Sequence, residues 1–153
     1  MPLTFPPLTP GTRSLASLDD QIMLLSFEPT AVVALGQRVA PGQTMQVTFY
    51  WWAMAQMDTD YAVFVHLLDG EGRVKWQHDG MPAFGTRPTS GWQPGEVIAD
   101  VHEIPLPADA PEGTYGLEVG VYSPLTWQRL RVLDEEGSPQ DDHLLLPPIH
   151  VGH

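Results

Sequence analysis

The sequence predicts an all-β fold: a two-layer antiparallel β-sandwich, immunoglobulin-like or jelly-roll-like, with about nine strands and no substantial helix. Three observations predict it. The 16 prolines and 14 glycines make up about a fifth of the 153 residues and recur at short intervals, which leaves no room for long helices. Apolar and polar residues alternate with a period of two in the longest uninterrupted segments. Turn residues separate those segments at the spacing of a sandwich or barrel, and the proline-rich ends favour managed sheet edges over closure.

Residues 1–20 read as a proline-rich lead-in or linker, with one helical turn expected within Ser14–Asp20, and residues 21–153 as a single domain. Gln21 to Phe27 is the first strand, and Ala31 to Leu35 the next, stopping at Gly36. After the Ala40-Pro41-Gly42-Gln43 turn, Met45 to Met54 alternates cleanly. Met45, Val47, Phe49, Trp51 and Ala53 share one face, and Gln46, Thr48, Tyr50 and Trp52 the other. Tyr61 to Asp69 is apolar on both faces, as a central strand is, and Gly70-Glu71-Gly72 turns it into a hairpin arm from Arg73 to His78. A long connection from Asp79 to Glu96 leads to a strand over Val97 to Ile104. Thr114 to Ser123 puts Tyr115, Leu117, Val119 and Val121 on one side, and Gln128 to Leu133 is expected to return beside it as a hairpin arm. An acidic loop over 134–142 precedes the last strand, Leu144 to Val151, whose Pro147-Pro148 places it at an edge.

Charge narrows the function classes. Nineteen acidic residues face seven basic ones, a formal charge of -12, so the chain repels phosphate backbones and anionic membrane surfaces. Nucleic acid is excluded as a partner, and neutral, hydroxyl-rich ligands or cations are favoured. The absence of cysteine removes disulfides, zinc–thiolate sites and thiol nucleophiles together. No segment reaches the roughly 20 apolar residues of a membrane helix, so direct membrane insertion is not expected. The N-terminus has neither the basic start nor the apolar stretch of a signal peptide, so export would rely on a signal elsewhere in a larger parent chain.

No Gly-x-Ser-x-Gly elbow, Walker loop or His-Glu-x-x-His motif occurs, and most acids sit in turns, where solvated charge is the default rather than a glycosidase pair. The expectation is therefore no enzyme and no catalytic residue. Asp69-Gly70-Glu71-Gly72 and the 134–142 loop lack EF-hand spacing; calcium is the only cofactor they leave open, and ordinary acidic turns are expected there.

Several phrases of the middle segment occur together: Val63-Phe64-Val65-His66-Leu67-Leu68-Asp69, Gln77-His78-Asp79-Gly80, Pro88-Thr89-Ser90-Gly91-Trp92-Gln93-Pro94-Gly95-Glu96, Asp100 to Pro107 and Gly113 to Tyr122. Over roughly residues 45–133 the chain resembles the extracytoplasmic C-terminal β-sandwich domain of bacterial multi-span membrane glycosyltransferases and related surface proteins. The resemblance implies an accessory domain outside the membrane, near carbohydrate or lipid-linked sugar chemistry. It supplies no catalytic residues.

Two sets of candidate site residues follow. Tyr50 and Trp52 form a mixed aromatic and polar face suited to stacking sugars, or are covered by the lead-in or another domain. Trp92 is either a loop anchor or an exposed platform, and Arg87 beside it would hydrogen-bond hydroxyls. A polar set, His66, His78, Asp79, Asp100 and His102, is read as a cross-strand network closing the sheet and anchoring the long loop, with a ligand site as its alternative. No metal site is assigned. The reading is a non-catalytic module that recognises carbohydrate or supports a glycosyl-processing enzyme. The alternative is a structural or protein-interaction domain that docks on a neighbouring domain or a second copy.

Overall fold

The cleanest alternation in the sequence becomes the spine of the first sheet. In the computed structural model, which describes residues 16–30, 38–134 and 136–152, eleven strands follow one another. They are β1 (Ala16–Leu18), β2 (Ile22–Thr30), β3 (Arg38–Val39), β4 (Thr44–Ala53), β5 (Ala62–Leu68), β6 (Val74–Gly80), β7 (Val97–Pro105), β8 (Gly113–Tyr122), β9 (Val132–Leu133), β10 (Pro139–Asp141) and β11 (Leu144–Val151). One sheet has the order β10-β9-β1-β2-β4-β7 and the other β3-β11-β8-β5-β6. Adjacent strands are antiparallel except β11 and β3, which meet in parallel at His150 and Val151. The sole helical element among the described residues is a 3-10 turn at Thr89–Gly91, so the all-β sandwich expected from the sequence is what forms.

The core lies between the inner faces. In β4, Met45, Val47, Phe49, Trp51 and Ala53 are fully buried, facing Val63, Val65 and Leu67 of β5 and Tyr115, Leu117, Val119 and Val121 of β8. Burying a side chain of this size contributes about 1.5–3 kcal/mol, so these three strands dominate the sandwich. Two bulges keep the inward phase where alternation fails. The β2–β4 register shifts between Leu24 and Ser26, so Ile22 and Leu24 point inward and so does Phe27. In β11 the shift falls at the paired prolines, between Leu146 and Ile149, which lets Ile149 and Val151 reach the core.

Three expectations are corrected by the tertiary structure. Ala16–Leu18 is not a helical turn but a strand between β2 and β9, because Leu18 fills a core position. The segment after β8 starts as a hairpin, with Tyr122 bridging Arg129, then leaves for the other sheet, where Val132–Leu133 pairs with β1 and β10. The acidic loop contains β10, and Asp134 Oδ1 accepts the backbone N–H groups of Glu136 and Ser138 within it. The expected strand over Ala31 to Leu35, and residues 1–15 of the lead-in, lie outside the described residues. Among the described residues, no helix is long and apolar enough to cross a membrane.

Candidate functional site

The polar set expected as one group separates into two, on opposite faces of the second sheet. β7 is an edge strand of the first sheet, and its inward positions carry Ile98, Asp100, His102 and Ile104. Asp100 is fully buried. Its Oδ2 accepts the Trp51 Nε1–H at 3.0 Å and lies 2.6 Å from His102 Nε2, while Oδ1 accepts the Ala83 backbone N–H at 2.8 Å. A carboxylate only accepts, so the His102 proton sits on Nε2, and His102 Nδ1 accepts from His78 Nδ1, 2.9 Å away on β6. The chain Trp51–Asp100–His102–His78 thus ties the open edges of the two sheets together and holds the start of the 81–96 connection. Trp51, Asp100 and His102 are buried and satisfy one another inside the sandwich, while His78 is half-buried at its edge.

Burial, together with the neighbouring His102, holds the His78 imidazole below its ordinary value of 6.5, against the opposing pull of Asp79, Asp100 and Glu103. The unfolded chain therefore takes up this proton first. The stability this network contributes is complete above about pH 6.5 and is lost as the pH falls from there through the depressed folded value. Melting temperatures measured from pH 8 down to 5 are expected to fall, and His78→Gln is expected to flatten that slope.

The same long connection is pinned by Trp92. Its ring is 1% exposed, and its Nε1–H donates to the Arg87 carbonyl at 2.9 Å. Trp92 is therefore the loop anchor and not an exposed platform: its indole packs into the core, whereas Phe84 of the same connection stays exposed. The Arg87 guanidinium is paired with Glu96, whose carboxyl is held below its ordinary range by the Gln93 backbone N–H and by Arg87 itself. On the outer face of the first sheet, Trp52 is 37% exposed and Tyr50 is half-buried. Trp52 lies in register with Met23 and Val97.

The other half of the polar set, His66 and Asp79, points outward from the second sheet. There β8 presents Glu118, Gly120 and Tyr122, and β5 presents Phe64 and His66. Glycine at 120 makes the arrangement possible, because a Cβ there would sit 2.2 Å from the Phe64 ring. Phe64 lies flat in that space, with the Arg129 guanidinium 4.3 Å above it and His66 4.7 Å beside it. His66 Nδ1 is 2.8 Å from Glu118 Oε1. Tyr122 donates its hydroxyl to Asp79 Oδ2 at 3.1 Å, and burial together with Asp79 raises its pKa, so the phenol stays neutral.

Over Tyr122 lies Trp127, stacked at 5.6 Å between centroids and 11° between planes. Trp127 is 74% exposed and has a left-handed backbone, φ 65°. A bulky residue in that conformation costs on the order of 1–3 kcal/mol, and an exposed ring returns little of it in packing. Phe64, His66, Asp79, Tyr122, Trp127 and Arg129 line a groove of about 230 Å³. Sequence reading did not single out Trp127, Tyr122 or Arg129. The available signal was the outward Gly116-x-Glu118-x-Gly120-x-Tyr122 pattern of β8, small residues making space beside polar ones. Nearby, Asp141, Asp142 and His143 offer ligand atoms within 4.8 Å of one another, an arrangement common on acidic surfaces without an ion. His143 and Arg129 hold the Asp142 carboxyl below its ordinary range.

These features define a β-sandwich domain with an aromatic and polar groove on one outer face. Among solved structures, the C-terminal domain of wzt matches with a TM-score of 0.62 at 14% identity, covering 97% of this chain and 83% of that one. That likeness is one of fold. A Niemann-Pick type C2 protein from Japanese carpenter ant matches with a TM-score of 0.47 at 6% identity, over 84% of this chain and 90% of that one. A β-glucosidase from Listeria innocua, in complex with laminaribiose, matches with a TM-score of 0.45 at 14% identity, over 84% of this chain and 16% of that one. No protein-family model matches the chain, and no curated protein matches it.

Proposed function

We propose that this domain is a non-catalytic carbohydrate-recognition module that binds sugar on the outer face of the second sheet. One observation carries the reading: the exposed Trp127 ring, stacked on Tyr122, stands beside Asp79, Arg129 and His66. An indole face takes the C–H face of a pyranose, and carboxylate, guanidinium and imidazole groups at its rim give and receive hydroxyl hydrogen bonds. The net charge of -12 supports a neutral ligand. The fold shared with a C-terminal domain supports an accessory module attached to a larger chain. The His-Asp-Gly and Trp-x-Pro-Gly-Glu phrases support an extracytoplasmic place beside a glycosyl-processing enzyme.

Titration of tryptophan fluorescence with a panel of neutral saccharides tests this. A response at millimolar sugar is expected, and Trp127→Ala is expected to weaken it about tenfold or more, as loss of an aromatic hot spot does. No response from the native protein would count decisively against sugar recognition. The interaction-domain alternative has its own support in the exposed Trp52 on the first sheet. It predicts self-association on a sizing column that Trp52→Ala abolishes.

A further inference from the structure

The groove over the second sheet is one half of a longer depression. A second hollow of about 780 Å³ continues from it along the β8–β9 crossing segment, toward Thr59 and Tyr61 on one side and Asp19 and Arg131 on the other. Trp127 and Arg129 line both hollows. The exposed indole is therefore a ridge between two open spaces and not the floor of a closed pocket. The smaller space suits a single sugar ring, and the larger lies within the ~300–1,000 Å³ range of sites that enclose an entire small ligand.

The charges of the larger hollow come in neutral pairs. Arg129 Nη1 lies 3.3 Å from Asp142 Oδ1, and Arg131 Nε lies 3.2 Å from Asp19 Oδ1. Asp19 Oδ2 also accepts the Arg131 backbone N–H at 2.8 Å, which ties the pair together where β1 ends and β9 begins. An anionic ligand would have to displace a carboxylate from each arginine, in a chain of net charge -12. Neighbouring sugar hydroxyls need no displacement, since each both donates and accepts.

We propose, on the carbohydrate reading above, that the ligand is an extended neutral glycan of at least two sugar units lying across Trp127, with its second subsite at Arg131 and Asp19. Calorimetric titration of the full chain tests this with malto-, cello- and manno-oligosaccharides of one to six units and with oligogalacturonides of the same lengths. Affinity is expected to rise about tenfold or more from monosaccharide to tetrasaccharide and then level off. The oligogalacturonides are expected to bind at least tenfold more weakly. Arg131→Ala is expected to remove the gain from chain length while leaving monosaccharide affinity unchanged. Gln128→Ala, at an exposed position in the same hollow, does so in part and serves if Arg131→Ala melts below the assay temperature.

Equal affinity for one and four units would overturn the two-subsite proposal and leave sugar recognition standing. Tighter binding of oligogalacturonides would overturn its neutral character. Binding by none of these probes would overturn both the proposal and the carbohydrate reading beneath it.

Discussion

Asp100→Ala is expected to destabilise the domain by about 3–5 kcal/mol, the cost of breaking a buried charged network by removing one partner. Three groups lose their acceptor at once: the Trp51 indole N–H, the Ala83 backbone N–H and His102 Nε2. None of the first sheet's inner surface at Asp100 is open to water, so the orphaned donors stay unsatisfied. At about 2–4 °C per kcal/mol for a domain of this size, thermal unfolding followed by circular dichroism is expected to fall by on the order of 10 °C. Asp100→Asn, which keeps the volume, is expected to fall nearly as far, because its amide nitrogen must face a donor in place of an oxygen. A melting temperature unchanged in both variants would show that the network does not hold the sheet edges together.

Trp92→Ala is expected to cost a similar amount, about 3–5 kcal/mol for a buried aromatic truncated to alanine. The indole is 1% exposed and is held by its bond to the Arg87 carbonyl. Its loss opens a large cavity at the sandwich end and frees the 81–96 connection. Proteolysis of the variant is expected to begin within that connection, since local opening there no longer displaces a core side chain. The saccharide response of the folded fraction is expected to survive, because the indole does not line the proposed groove. A variant that melts normally but loses sugar binding would return Trp92 to the role of binding platform.

Strand-level organisation was legible in the sequence wherever alternation was strong. β4 and β8 appear with their inward and outward residues as read and β5 as the central strand expected, because each has a partner strand on both sides and a buried inner face that enforces one phase. The paired prolines of β11 were misleading as an edge signal: the strand lies second in its sheet, between β3 and β8, because the register shift at the prolines absorbs their missing donors and β3 pairs only with His150 and Val151 beyond them. Short strands were not legible. Ala16–Leu18, Val132–Leu133 and Pro139–Asp141 have two or three residues each and no period to detect. They exist because the longer strands offer them an edge to pair with.

The site residues show the same division. Asp100 and His102 were readable as neighbours on one strand face, since two residues apart is a rule of local geometry. That His78 joins them while His66 and Asp79 face the other way follows from which strand crosses which. The β5–β6 pairing sets Val65 opposite His78, so His78 faces inward with Val65 and Asp79 faces outward with Phe64.

The sequence alone determined the β-sandwich, the acidic surface, the absence of thiol chemistry and the inward faces of β4 and β8, because composition and a two-residue period are local properties of the chain. Only the tertiary structure decided that Trp127, Tyr122 and Arg129 share a groove with His66 and Asp79. The groove draws on β5, β6, β8 and the crossing segment, brought together by sheet order and by the ring space left at Gly120. No spacing along the chain encodes that meeting, since it depends on long-range pairing between strands up to tens of residues apart.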